Sequence, residues 1–380
     1  MWRKEAKHWV LLILALAMVR HTPGLVERIY ATGIYRIIRT FDLFFLQWVP
    51  FSVGDVLYVV APVWAVVYVW RLYRKTHSWK RIMLTVSRGI RLVILWFYLL
   101  WGLNYFREPL YRQWKWEIRS PDSAELRLLA LREIDSLNRL HCLLQPVDSL
   151  PVDLKRSWNE LQYAAAKIYR QNARVRPRLS ESFYVVKPSL LARPVSRLGT
   201  LGYLNPFTHE SQVNTLYPKV FLPHIILHEL SHQIGYAYEN EAEFIAFWEA
   251  VEAGDTDFRY SAHLTAASYL LGYWKARDSL QFEKMKQKLL PGVWAEYRKA
   301  RRFAEQYRMP VDLSFLYDWY LRTNQQGKGM VSYGEMVLYL HTYYKEHDCQ
   351  SGITTPTQGI EQRKEHKEQK GLNQKTADVE

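Results

Sequence analysis

Residues Leu227 to Glu243 read Leu-His-Glu-Leu-Ser-His-Gln-Ile-Gly-Tyr-Ala-Tyr-Glu-Asn-Glu-Ala-Glu, an H-E-x-x-H set in an apolar run that opens just after Pro223. On a helix, His228 and His232 stand one turn apart and point the same way. Two neutral imidazoles at that spacing can each give a nitrogen to one Zn2+. Glu229 then lies beside the metal-bound water, where a general base is needed. Two histidines make a weak site, so a third ligand is expected downstream. Gly235 is placed to end the helix, and Glu239 to Glu243 to open a second one. Glu239 and Glu243 are again one turn apart, so one can bind metal while the other orients a ligand histidine. We assign Glu239 as the ligand and Glu243 as the orienting carboxylate, with Glu241 as competitor for the ligand role. A chance motif is the competing explanation in a chain with twelve histidines. The helical context, the glycine and the acidic second helix weigh against it.

The elements that must position these residues begin with a basic, apolar third. The chain carries a net charge of +14, but residues 1–119 hold 18 Lys/Arg against 6 Asp/Glu, so little excess is left for the rest. Cations packed around hydrophobic runs mark membrane orientation, and nucleic acid is set aside as a partner. Three runs read as membrane spans: Trp9 to Val19, Val56 to Trp70 and Leu92 to Phe106. No small-residue cleavage site follows the first, which therefore reads as an uncleaved anchor. Arg71, Arg74, Lys75, Lys80, Arg81, Arg88 and Arg91 lie between the second and third runs. The positive-inside rule puts them in the cytoplasm with the N-terminus, and everything after Phe106 outside. Between the first two runs, Val26, Ile29, Ile37, Phe41 and Phe44 share one helix face. That face suits either the bilayer surface or ordinary packing.

From Arg107 onward the composition is that of a soluble, largely helical domain. Ser120-Pro121 is read as the cap of a helix running to about Leu144. A second helix is marked by Leu154, Trp158, Leu161, Ala165 and Ile168. Ser182 to Val186, Gly199 to Leu204 and Glu210 to Asn214 read as strands of a small sheet, whose edge could lay an extended peptide over the metal. Past the motif, Tyr260 to His263 open another helix, and Tyr260 or His263 are weighed as oxyanion stabilisers against the simpler role of core. Ser332 and Glu335 form a capping box, and the tail from about Asp348 is too polar to fold. Cys142 and Cys349 have no spacing that requires them to pair.

Pro50 to Asp55, Trp101 to Arg107, Asn205 to Thr208, and His228 to Ala237 with Glu239 to Phe244 together resemble a bacterial membrane family catalogued as domain of unknown function 3810. The resemblance covers most of the chain up to about residue 345. It implies a zincin-like relation to metallopeptidases, with the chain in the inner membrane. Glu239-x-x-Ala242-Glu243 is also similar to the E-x-x-A-D stretch of membrane-bound gluzincin peptidases. That likeness implies Glu239 as zinc ligand and Glu243 as its support. Glu replaces Asp at 243, and the short gap from His232 to Glu239 demands a tight turn and keeps Glu241 in play.

The expected architecture is mainly α: N-terminal transmembrane helices (1–106), a mostly helical zincin-like α+β domain with a small sheet (107–347), and a disordered tail (348–380). The expected activity is zinc-dependent hydrolysis of an unknown polypeptide beside the lipid bilayer. A non-catalytic metal-binding scaffold or sensor is the alternative.

Overall fold

The computed structural model describes residues 1–172, 181, 183–308 and 336–350. Among them the protein is mainly helical with one small sheet. Helix α1 (Trp2–Arg20) is followed by α2 (Pro23–Leu46), which turns 89° away from it. Helices α3 (Val53–Thr76) and α4 (Trp79–Leu100) are long and apolar enough to cross a membrane, and most of their side chains are exposed. A continuous helix satisfies its own backbone, which lipid demands. With Arg3, Lys4, Glu5 and Lys7 in its first turns, α1 reaches the same test only jointly with the bent α2.

Helices α1 and α4 run in the same direction. Trp9 donates to Ser87, and further along both chains Leu16 and Val19 pack with Phe97 and Tyr98 around Trp101. Glu5 accepts from Arg91 at 2.9 Å and lies 3.5 Å from Arg88, so these two cations inside an apolar helix have a counter-ion.

Two boundaries differ from the sequence reading. The basic stretch from Arg71 to Arg91 is mostly helix, with only His77 and Ser78 joining α3 to α4. The run Leu92 to Phe106 is not one helix: α4 stops at Leu100, and a 3-10 turn (Gly102–Phe106) folds back. Gly102 permits the fold-back, because a Cβ there would sit 2.5 Å from the Phe97 ring.

Helix α2 splits the residues read as one face, burying Val26 and leaving the other four exposed. Val26, Tyr30, Tyr35, Arg39 and Leu43 are buried, while Ile29, Ile37, Phe41 and Phe44 are exposed. Residues Val26–Ile34 are wound as a π-helix, and this wider turn keeps Val26, Tyr30 and Tyr35 on the face that Arg39 and Leu43 continue at α spacing.

The sheet holds β1 (Val186–Pro188), β2 (Gly202–Leu204) and β3 (Ser211–Val213) in the order β1-β3-β2, with β3 parallel to β1 and antiparallel to β2. Pro188 belongs to β1 rather than ending it, which an outer strand tolerates. The sheet grips the start of α3. The Glu210 carboxylate accepts from Gly54 N at 2.7 Å and pairs with Lys187, whose ammonium also caps the carbonyls of Leu46 and Phe51. An anion at a helix N-terminus is favoured by the macrodipole. Asp55, one residue on, accepts from Leu190 N and from the Tyr203 hydroxyl.

Helices α5 (Ser123–Leu144), α6 (Trp158–Asn172), α7 (Leu222–Gln233), α8 (Glu239–Ala253) and α9 (Thr256–Arg277) build the main core, with α10 (Ser279–Lys286), α11 (Pro291–Tyr307) and α12 (Met336–Gln350) around it. The cap of α5 is Asp122, in a full capping box with Glu125, two residues beyond the Ser120-Pro121 start read from sequence. Leu154 is buried but precedes α6, and α9 opens at Thr256 under the Asp255 cap, ahead of Tyr260. Ser182, the Ser332–Glu335 box and the tail beyond 350 lie outside the described residues. Helices α7 and α8 are buried on nearly every side. Any polar group on them must therefore find a partner inside the protein.

Candidate metal centre

Helix α7 ends in a Schellman turn. Gly235, at φ +94°, donates its N–H to His232 O, and Tyr236 N–H reaches Ser231 O. A larger residue at 235 would be strained there and would crowd Asn104 and Tyr35, whose atoms lie 3.0 and 3.1 Å from the Cβ position. The turn reverses the chain within a few residues, so Glu239 opens α8 directly opposite the two histidines.

His228 Nε2 and His232 Nε2 lie 3.1 Å apart, and Glu239 Oε2 is 3.3 and 3.5 Å from them. A tetrahedral ion with bonds of about 2.0–2.1 Å needs donor atoms about 3.3–3.4 Å apart, so this trio has the span of a zinc site. The opposite ring nitrogens each face an oxygen. His232 Nδ1 is 2.7 Å from Tyr236 O, and His228 Nδ1 is 2.8 Å from Glu243 Oε2. Carbonyl and carboxylate oxygens only accept, so a proton on each Nδ1 would serve them, and an ion displacing any Nε2 proton would meet two lone pairs across the gap. Glu243 Oε1 also accepts from His224 Nε2 at 2.9 Å, and Tyr269 of α9 adds a phenol.

Electrostatics fit a place made for positive charge. Against the cost of burial, Glu243 and Glu239 hold the His228 ring well above its ordinary pKa. Also against burial, His232 and His228 hold Glu239 well below the usual carboxylate range, and His224 and His228 do the same to Glu243. His228, His232 and Glu239 keep 12%, 9% and 10% of their side-chain surface exposed.

Glu229 stands beside the trio with a different environment. It is buried, its Oε2 has no hydrogen-bond partner among the described residues, and burial pushes its carboxyl up to about 7. Strand β2 presses on the same group: a Cβ at Gly202 would collide with Glu229 Oε1. Ser211 of β3 donates to Glu229 O, fixing strand and helix together.

The structure thus brings His228, His232, Glu239, Glu243 and Glu229 together. Glu241 points elsewhere, accepting from Leu110 N and the Tyr339 hydroxyl. Tyr260 and His263 are held by α5, through His141 and Glu133 respectively. The sequence reading passed over His224, although its spacing of four residues before His228 is a readable signal. It also passed over Gly202 and the groups that clamp α7. Tyr169 donates to Leu227 O, Tyr35 to Gln233 O and Trp101 to His232 O, while the Gln233 amide pairs with Val185. Those contacts cross long stretches of sequence and leave no local pattern.

Fold and site define a mainly helical, membrane-associated protein with two helices of spanning length and a His-His-Glu cluster of ion size. The chain belongs to the family described as Protein of unknown function (DUF3810), whose model matches residues 30–341. Searches of curated proteins and of solved structures return no match.

Proposed function

We propose that the protein is a membrane-anchored zinc-dependent peptidase with a zincin-like outer domain. The observation that carries this reading is the trio of donor atoms 3.1–3.5 Å apart beside a buried carboxylate whose Oε2 has no partner among the described residues. His228, His232 and Glu239 would hold the ion, while Tyr236 O and Glu243 orient the two rings. A bound zinc supplies a Lewis acid and lowers the pKa of its water. Glu229 then accepts a proton as water attacks the amide carbonyl, and returns it to the departing amine. A purely structural ion would have no use for that carboxylate. Strand β2, an outer strand of the sheet among the described residues, packs Gly202 against Glu229, and an extended polypeptide added beside it would pass close to that carboxylate, which supports such a substrate. Charge supports a cytoplasmic N-terminus and an external domain in a bacterial inner membrane, the basic residues clustering at the α3–α4 connection.

Metal content of the detergent-purified full-length chain tests the reading. About one zinc per chain is expected, with affinity weakened at least about tenfold in Glu239→Gln and little changed in Glu241→Gln. No zinc in the wild type, prepared without chelators, would sink the peptidase reading. A full complement of zinc without hydrolysis of any peptide would instead favour a metal-binding scaffold.

Gly202→Ala gives an independent check on the base. The added methyl must displace the Glu229 carboxylate, so hydrolysis is expected to fall by about 10²-fold or more while zinc content holds. Wild-type turnover in this variant would show that Glu229 is not where the chemistry occurs.

A further inference from the structure

Ile37, Phe41, Phe44, Phe45 and Trp48 recur at i, i+4, i+7, i+8 and i+11, so they form one stripe along α2 and its C-terminal end. All five are exposed, Ile37 at 71% and Trp48 at 78%. The opposite side is bolted to the domain. Tyr35 reaches the end of α7, Arg39 pairs with Glu181 at 2.8 Å, and Asp42 lies 2.8 Å from His209 Nδ1. So broad an apolar face is not left to water without cause.

We propose that this stripe lies in the interfacial layer of the lipid bilayer, with α2 flat on the membrane. Three features identify lipid as the occupant. First, both ends of the segment are tethered where helices of membrane character begin or end: it leaves α1 at Arg20 and enters α3 at Val53. Second, α1 and α4 finish side by side, where Tyr30 of α2 donates to Leu99 O, and α3 starts at the same end of its hairpin with α4. A helix running at 89° to α1 from that level lies along the membrane plane rather than across it. Third, the stripe is rich in Phe and Trp, and Phe41, Phe44 and Phe45 frame with Phe183 an apolar groove of about 570 Å³ open to acyl chains. Because α2 also clamps α7, the membrane surface sets the height of the metal centre.

Site-directed spin labelling tests this independently of any metal chemistry. The full-length chain carrying Cys142→Ser and Cys349→Ser would receive a single cysteine at Phe41 or Phe44. References are Val63→Cys on α3 and Leu143→Cys on the domain, all four positions being exposed. Each labelled protein is placed in phosphatidylcholine–phosphatidylglycerol nanodiscs, and access of oxygen and of a water-soluble nickel chelate is measured. Labels at 41 and 44 are expected to favour oxygen over nickel several-fold more than the label at 143, and to approach the label at 63. A ratio equal to that at 143 overturns the proposal. Immobilised labels shielded from both reagents also overturn it, in favour of a second copy or another protein on this face. A water-like label at 63 overturns it as well, by removing the span from which the plane is defined.

Discussion

Glu229→Gln is expected to lower peptide hydrolysis by about 10²–10⁴-fold while bound zinc stays near one ion per chain. Gln keeps the shape of the side chain but cannot accept a proton from water. The carboxylate is buried, its Oε2 has no partner among the described residues, and burial pushes its carboxyl up to about 7. A group of that kind is matched to taking and returning a proton at physiological pH. Mass spectrometry of a peptide library incubated with wild-type and variant protein reads the rate, and elemental analysis reads the metal. A variant that cleaves at the wild-type rate would remove Glu229 from the reaction.

Arg107→Met is expected to destabilise the folded chain by about 3–5 kcal/mol. Arg107 makes a two-pronged contact to Glu27 of α2, at 2.8 and 2.9 Å, and stacks 4.1 Å over the Tyr236 ring. Both charged side chains are almost wholly buried, 2% and 6% exposed. Removing the cation strands the Glu27 carboxylate inside the protein, which costs more than the pair contributes. The paired change Glu27→Leu with Arg107→Met removes both charges and is expected to recover most of the loss. Thermal unfolding in detergent would measure both. A single variant as stable as wild type would show that the pair is not what joins α2 to the domain.

Much of the centre could be read locally. The spacing of His228 and His232, the position of Gly235 and the return of Glu239 and Glu243 all follow from helix periodicity and one obligatory turn. What could not be read is the direction of side chains that serve distant partners. Glu241 sits between two members of the cluster in sequence, yet its carboxylate turns to Leu110 and Tyr339. Tyr260 and His263 carry suitable chemistry, but packing between α5 and α9 uses it. Of the membrane elements, apolar length placed α3 well. The end of α4 differs from the sequence reading because Trp101 to Phe106 is as apolar as a span, yet it folds back, and Trp101 caps the C-terminal end of α7.

The short connection between His232 and Glu239 has a kinetic consequence. All three donor atoms come from twelve consecutive residues, so their convergence involves closing only a small loop. Glu229, by contrast, is held against a strand at Gly202 and behind clamps reaching back to Tyr35. Contacts of such low sequence separation form early, and distant ones late. On the reading proposed above, convergence of the ligand trio and placement of the base are therefore separable stages in the life of the nascent chain: the first depends on contacts within the α7–α8 hairpin, and the second on assembly of sheet, α2 and membrane helices around it.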